Sequence, residues 1–196
     1  MNLSYEKQLD EKCSIINNAM KRIGKFNDFK LDKITGCTNA LEYRNKIVFA
    51  MKNGSFGFYE NKTHTIIPVD RCFLADKSFS DIAASAAQFA DGSIFIRQGA
   101  NGKAVDIKCG CNTDIHGLCS AILNADRTVE SIFINNKCVY GKNTIIAGIL
   151  GLKFEVSPQS FLQVNYEMTE KLYKCALDFA NLDKTVSVID IYCGIG

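Results

Sequence analysis

Three short strand-like runs punctuated by turn residues constrain this chain more than any other feature. Ile47-Val48-Phe49-Ala50-Met51 runs into Asn53-Gly54, then comes Phe56-Gly57-Phe58-Tyr59, a polar turn, and Thr65-Ile66-Ile67-Pro68-Val69. An Asn-Gly pair supplies the positive φ angles of a tight hairpin, so an antiparallel meander of about three strands is predicted. A meander of this kind must lay one face on a helix or a second sheet, and the neighbouring sequence offers helices.

Upstream, Leu9, Cys13, Ile16, Met20 and Ile23 recur at spacings of four and three and stop at Gly24, which predicts a helix over residues 5–23. Downstream, Ser80–Ala90 reads as an Ala-rich helix closed by Gly92. Strands are expected at Ile94–Gln98, Val105–Cys109 and Val129–Asn135, with a helix at Ile115–Asn124. Asn165 suits the N-cap of a helix over Tyr166–Ala180, whose Met168, Leu172, Cys175 and Phe179 share a face. The β-branched, almost continuous run Val186–Tyr192 reads as a buried parallel-type strand ending in Cys193-Gly194-Ile195-Gly196. The expected order is an N-terminal helix (1–30), a central α+β domain (31–142), and a segment (143–196) leading into the first strand of a Rossmann-like α/β domain. A domain boundary falls between residues 142 and 165.

The apolar content of 47% is enough for a core. A net charge of +2 gives no global polyanion signal, so any nucleic-acid contact must come from local patches. Arg44, Lys46, Lys52, Lys62 and Arg71 are candidates for one, against the plain alternative of a solvated sheet face. No long apolar run and no signal-like N-terminus occurs, which points to a cytoplasmic protein with no membrane partner, read as a monomer. The nine cysteines are odd in number and scattered, as expected of reduced, largely buried thiols.

A strand that ends in Asp190-Ile191-Tyr192-Cys193-Gly194-Ile195-Gly196 is how a Rossmann-like fold opens a nucleotide or S-adenosylmethionine pocket, because glycines let the backbone turn and approach the ligand. Glycine turns after strands are also common without a ligand. In Ser157-Pro158-Gln159-Ser160-Phe161-Leu162-Gln163-Val164-Asn165, Gln163 offers an amide donor and acceptor and Phe161 a stacking face. The plain reading there is a helix cap with a core phenylalanine. Cys109-Gly110-Cys111 with His116 and Cys119 is the one local metal-like cluster; it lacks a second knuckle, and ordinary core and turn cysteines account for it as well.

Taken in order, Tyr5-Glu6-Lys7-Gln8-Leu9 with Lys12, Tyr43-Arg44-Asn45-Lys46, Gly57-Phe58-Tyr59 through Ile67-Pro68-Val69-Asp70-Arg71-Cys72, Ser157 through Asn165, and Asp190 through Gly196 resemble the RNA uracil-5-methyltransferase family. The resemblance spans essentially the whole chain. It implies an S-adenosylmethionine-dependent enzyme that forms 5-methyluridine, with ribosomal RNA favoured over transfer RNA. By residue-wise match, Gln163 and Tyr192 would contact the methyl donor, Gly194 and Gly196 would shape its loop, and Phe161 would lie near the flipped base. Cys72 would match the fourth ligand of a [4Fe–4S] cluster whose other three cysteines precede the matched region, so the cluster is expected in a longer parent and not in this chain.

The same resemblance places the catalytic cysteine and general base beyond residue 196, so no catalytic residue is expected here and the piece by itself should be inactive. Their chemistry is a thiolate addition to uracil C6, methyl transfer to the resulting enolate, and removal of the C5 proton by a base. The stretch between Asn135-Asn136 and Val139-Tyr140-Gly141 is shorter than the family pattern, and the β-barrel that some members carry is lacking. The competing reading is a stand-alone RNA-binding module without catalysis. Flanking gene sequence separates the two.

Overall fold

The computed structural model describes residues 3–194, and two compact units divide it, 1–40 and 41–196. In the first unit, α1 (Tyr5–Arg22) starts at Ser4, whose hydroxyl accepts from the Lys7 N–H. The helix expected over residues 5–23 is there, with Ile23 as its C-cap. The Tyr5 hydroxyl accepts from the Cys37 N–H at 2.6 Å, fastening the following loop to the start of α1.

The second unit is built on a seven-stranded sheet in the order β3-β2-β1-β4-β5-β6-β7. Its strands are β1 (Lys46–Lys52), β2 (Ser55–Tyr59), β3 (Ile66–Pro68), β4 (Gly92–Gln98), β5 (Lys103–Cys109), β6 (Val129–Ile134) and β7 (Lys137–Gly141). The predicted meander is β1-β2-β3, turning at Asn53 (φ 52°) and Gly54 (φ 75°). All neighbours are antiparallel except β5 and β6, which run parallel because α3 (Ile115–Ala125) carries the chain between them.

Helices α2 (Lys77–Ala87) and α3 pack against each other on one face of this sheet. Strand alternation sends Ile47, Phe49, Met51, Ile94, Ile96, Val105, Ile107, Ile132 and Ile134 into that layer, where Phe79, Ile82, Leu118 and Ile122 meet them. Each such fully buried apolar side chain stabilises the fold by roughly 1.5–3 kcal/mol relative to exposure. Phe49 and Phe56 meet edge to face with centroids 5.1 Å apart.

Helix α2 departs from the expected Ser80–Ala90. It begins three residues earlier because Asp76 caps it, accepting from the Ser78 N–H at 2.9 Å. It ends at Ala87 with Gln88 as its C-cap, and the Gln88 Nε2 donates to the Gly54 carbonyl at 2.8 Å. Gly92 does not close the helix; it opens β4 at φ 139°, with no room for a Cβ against the Lys108 carbonyl.

Two further strands, β8 (Ile145–Ile149) and β9 (Leu152–Val156), form a separate hairpin turning at Leu150 and Gly151, both at positive φ. Helix α4 (Tyr166–Ala180), capped by Asn165 as expected, packs on β8. A small second core joins Ile145, Ala147, Ile149, Val156 and Leu162 to Ala104, with Phe154 and Tyr166 against it. The face that Met168, Leu172, Cys175 and Phe179 share on α4 is largely open, since Leu172, Cys175 and Phe179 are exposed while Thr169 is the buried residue.

The largest departure lies at Val186–Tyr192. Among the described residues this run pairs with no strand, and Val186, Val188, Ile189 and Ile191 are exposed. A strand buried on both faces draws its order from neighbours on either side, and the described residues present none to it.

Candidate functional site

The segment 157–165 is held against the main sheet by four side chains. Asn45, 5% exposed at the entrance to β1, donates from Nδ2 to the Gln163 carbonyl at 2.9 Å, and its N–H donates to the Val164 carbonyl at 2.8 Å. Arg97, 1% exposed on β4, donates from Nη1 to the Ser160 carbonyl at 2.6 Å. Gln159 donates from Nε2 to the buried Asp106 carboxylate of β5 at 3.0 Å, and the Lys108 ammonium pairs with the same carboxylate at 2.9 Å. The Tyr166 hydroxyl at the start of α4 donates to the Gln98 carbonyl at 3.1 Å. Burial pushes the Tyr166 phenol up and the Arg97 guanidinium down, each from its ordinary value.

These ties point the loop into an open groove of about 790 Å³. One wall is the β8–β9 turn with Leu150, Leu152 and Phe154, and another is the α4 face with Tyr173, Ala176 and Leu177. Glu170 of α4 accepts from the Leu150 N–H at 2.9 Å, joining those two walls. Phe161 and Gln163 line the groove, as do Asp190, Tyr192, Cys193 and Gly194.

Four of the predicted site residues, Phe161, Gln163, Tyr192 and Gly194, therefore meet at one place although two sequence segments supply them. Gly196 lies outside the described residues. Phe161 is 78% exposed and Tyr192 fully so, which leaves both faces available to a planar ligand. Gly194 takes φ 70°, the left-handed backbone its glycine permits.

Cys72 stands apart from this groove, half-buried against the main core, with its N–H donating to the Ser80 hydroxyl at 3.2 Å. Among the described residues no three His, Cys, Asp or Glu side chains are grouped to hold a metal ion. One thiolate does not anchor a [4Fe–4S] cluster, so the residues present do not fit that group. The Cys109–Cys119 cluster is likewise dispersed: Cys109 and Cys119 pack on the core, while Cys111 and His116 are exposed. Burial raises the Cys119 thiol, away from a metal-binding thiolate.

Sequence reasoning missed Arg97, Asp106, Gln159 and Tyr166 as supports of the loop. The available signal was a charge set among apolar residues, Arg97 after Ile94-Phe95-Ile96 and Asp106 between Val105 and Ile107, since a buried ion needs a partner. Of the five proposed basic residues, Lys46 and Lys52 share a face of β1, whereas Arg71 pairs with Glu42 and lies over Phe73.

No protein-family model matches the chain. A protein of Caldanaerobacter subterraneus subsp. tengcongensis named an uncharacterized RNA methyltransferase is 32% identical over 231 positions, covering 99% of this chain and 51% of its own length. Proteins of the same description from Staphylococcus aureus strain COL and Oceanobacillus iheyensis are 31% and 29% identical, each over 99% of this chain and 51% and 50% of their own lengths. The crystal structure of Pyrococcus abyssi tRNA (uracil-54, C5)-methyltransferase in complex with S-adenosyl-L-homocysteine superposes with a TM-score of 0.72 at 15% identity, over 90% of this chain and 48% of that one, a likeness of fold.

The chain is a relative of RNA methyltransferases, and it spans about half the length of the relatives it matches. Within that class it resembles the RNA uracil-5-methyltransferase family. No helix among the described residues is long and apolar enough to cross a membrane.

Proposed function

We propose that this chain is part of an S-adenosylmethionine-dependent RNA (uracil-5-)-methyltransferase that forms 5-methyluridine, with ribosomal RNA as substrate. The observation that carries the proposal is the convergence of Phe161, Gln163, Tyr192 and Gly194 on one groove, in a chain related throughout to RNA methyltransferases. S-adenosylmethionine would supply the methyl group as an electrophile. Gln163 would hold the donor through its amide, Tyr192 would cover it with an aromatic face, and Gly194 would let the backbone approach it. Asp190 adds a carboxylate that accepts from ammonium or hydroxyl groups. Phe161 would stack on the extruded uracil. Asn45 and Arg97 act through the loop, fixing the backbone on both sides of Phe161.

The addition to C6 and the proton removal at C5 belong to the cysteine and base that the resemblance puts beyond residue 196, so the chain alone is proposed to be inactive. No step is assigned to a [4Fe–4S] cluster. The test is a chimera in which this chain replaces the matching half of the Caldanaerobacter relative, with 5-methyluridine in ribosomal and transfer RNA read by nucleoside mass spectrometry. Methylation that Gln163→Ala lowers at least tenfold supports the proposal. A methylated base other than 5-methyluridine, or a Gln163→Ala chimera as active as its parent, refutes it.

A further inference from the structure

The 157–165 loop is anchored on both sides of Phe161, and the upstream anchor ends on a buried charge. Asp106 of β5 is 3% exposed and gathers donors from three parts of the chain. Its Oδ2 accepts from the Lys108 ammonium at 2.9 Å and from the Gln159 Nε2 at 3.0 Å, while its Oδ1 accepts from the Asn136 N–H at 3.3 Å. Lys108 also donates to the Asn136 side-chain oxygen, and the Asn135 side chain bonds both ways with the Cys109 backbone. The end of β5 and the β6–β7 turn are therefore braced together around this carboxylate. A carboxylate buried so deeply stays where its donors are, because moving it away would leave its charge without partners. The loop thus meets a fixed charged node.

From that node the path to Phe161 is short. The Ser160 N–H donates to the Ser157 carbonyl at 3.1 Å and the two serine hydroxyls meet at 3.0 Å, so residues 157–160 close into a turn that carries Gln159. Asp106 holds the Gln159 side chain and Arg97 holds the carbonyl of Ser160, one residue on. Phe161 follows directly, with its ring in the groove. Leu162 comes next and is buried in the small second core, and beyond it the Gln163 carbonyl is held by Asn45. Leu162 therefore divides the loop. The turn on one side sets Phe161, and Asn45 on the other side holds Gln163 directly.

We infer that Asp106 is a positioning residue for the RNA base and not for the methyl donor: through Gln159 it sets the turn that aims Phe161, while the buried Leu162 keeps Gln163 independent of that tie. The inference rests on the proposed stacking of Phe161 on the extruded uracil, and adds what fixes the aim of that ring. An aromatic ring exposed at a loop stacks productively only when its backbone is held, since a mobile ring must be ordered at the moment of binding. Two substitutions cut the tie from opposite ends. Asp106→Leu removes the acceptor at nearly constant size, and Gln159→Met removes the donor at the surface, where the core is untouched. If the two side chains act as one unit, the second cut costs nothing more once the first is made.

The test has two readouts. In the full chain, which contains no tryptophan, Phe161→Trp supplies a single fluorescent reporter at the aimed position, and adding Gln159→Met should lower its anisotropy. In the chimera described above, Gln159→Met and Asp106→Leu should each raise the KM for RNA by about tenfold, the scale of one hydrogen bond to a charged group. The KM for S-adenosylmethionine should stay as in the parent, and the double variant should be no worse than either single one. Asn45→Ala, which frees the Gln163 carbonyl, should by contrast raise the donor KM. The positioning role is overturned if the donor KM rises together with that for RNA in Gln159→Met, if the two substitutions add, or if the reporter keeps its anisotropy. Methylation of a base other than uracil with the same split in KM supports the positioning and refutes the uracil reading alone. A chimera that forms 5-methyluridine with its KM for RNA unmoved by Gln159→Met overturns the positioning alone.

Discussion

Replacing Asn45 by Ala removes one hydrogen bond, and the structure predicts how far the loss spreads. The Asn45 side chain is buried and its Nδ2 donates to the Gln163 carbonyl at 2.9 Å, while its backbone bonds to Val164 and Gln98 survive the substitution. A neutral hydrogen bond contributes about 1 kcal/mol net, and an acceptor left without a partner costs about 1–3 kcal/mol. The expected loss is therefore about 1–2 kcal/mol. At about 2–4 °C per kcal/mol for a chain of this size, the thermal midpoint should fall by about 2–8 °C. Asn45→Asp should be worse than Ala above pH 5, because a carboxylate then confronts the carbonyl oxygen with no proton to give. Hydrogen exchange localises the effect: amides of residues 160–166 should exchange at least fivefold faster, while those of β5 and β6 are unchanged. If Asn45→Ala leaves the midpoint and the loop amides as in wild type, the clamp on the groove is not Asn45 and the reasoning fails.

Asp126 pairs with Lys103 at 2.8 Å where both side chains are largely buried. Burial acts to raise its carboxyl, but hydrogen bonds from Lys103 and Thr128 outweigh it and hold the group below the ordinary 3.8. Because the folded value is depressed, this contribution is present above about pH 4 and is lost as pH falls below it; acid titration of stability should show that loss, and Asp126→Asn should remove it. Gly92→Ala, at φ 139° with no room against the Lys108 carbonyl, should destabilise by at least about 1–3 kcal/mol in urea melts, and a neutral result would place the β4–β5 register in error. Calorimetric titration of the chain with S-adenosylmethionine should give no saturable heat at millimolar donor, because ordering the exposed 186–194 segment and the ligand costs more than one wall of contacts returns. A dissociation constant in the low micromolar range would overturn that.

Local rules written in the sequence were enough for elements whose ends are set by their own side chains. The Asn53-Gly54 hairpin, the Asn165-capped α4 and the stripe of α1 all stand where residue pattern alone puts them, because positive φ, a cap and a 3.6-residue period act within a few residues. The helix expected from Ser80 starts at Lys77 instead, because the Asp76 cap, which the Ala-rich pattern does not mark, sets its first turn. The β8–β9 hairpin was hidden because Leu150 enters positive φ without the Asn or Asp that advertises such a turn, and its small core is shared with Ala104 of β5, far back along the chain.

What only tertiary structure decided follows from the same distinction. A buried charge looks the same in sequence whether it serves a core, a site or a loop; the fold assigned Arg97 and Asp106 to the loop by bringing residues 159 and 160 to them. Val186–Tyr192 carries the composition of a central strand, yet composition specifies only a willingness to be buried, and a ladder has to come from neighbouring strands. The sequence by itself determined the chemistry available to the groove, Phe161, Gln163, Tyr192 and Gly194, through the side chains those positions carry. That they meet was decided by long-range packing of α4, the β8–β9 turn and the loop that Asn45 holds, contacts whose separation along the chain leaves no periodic trace.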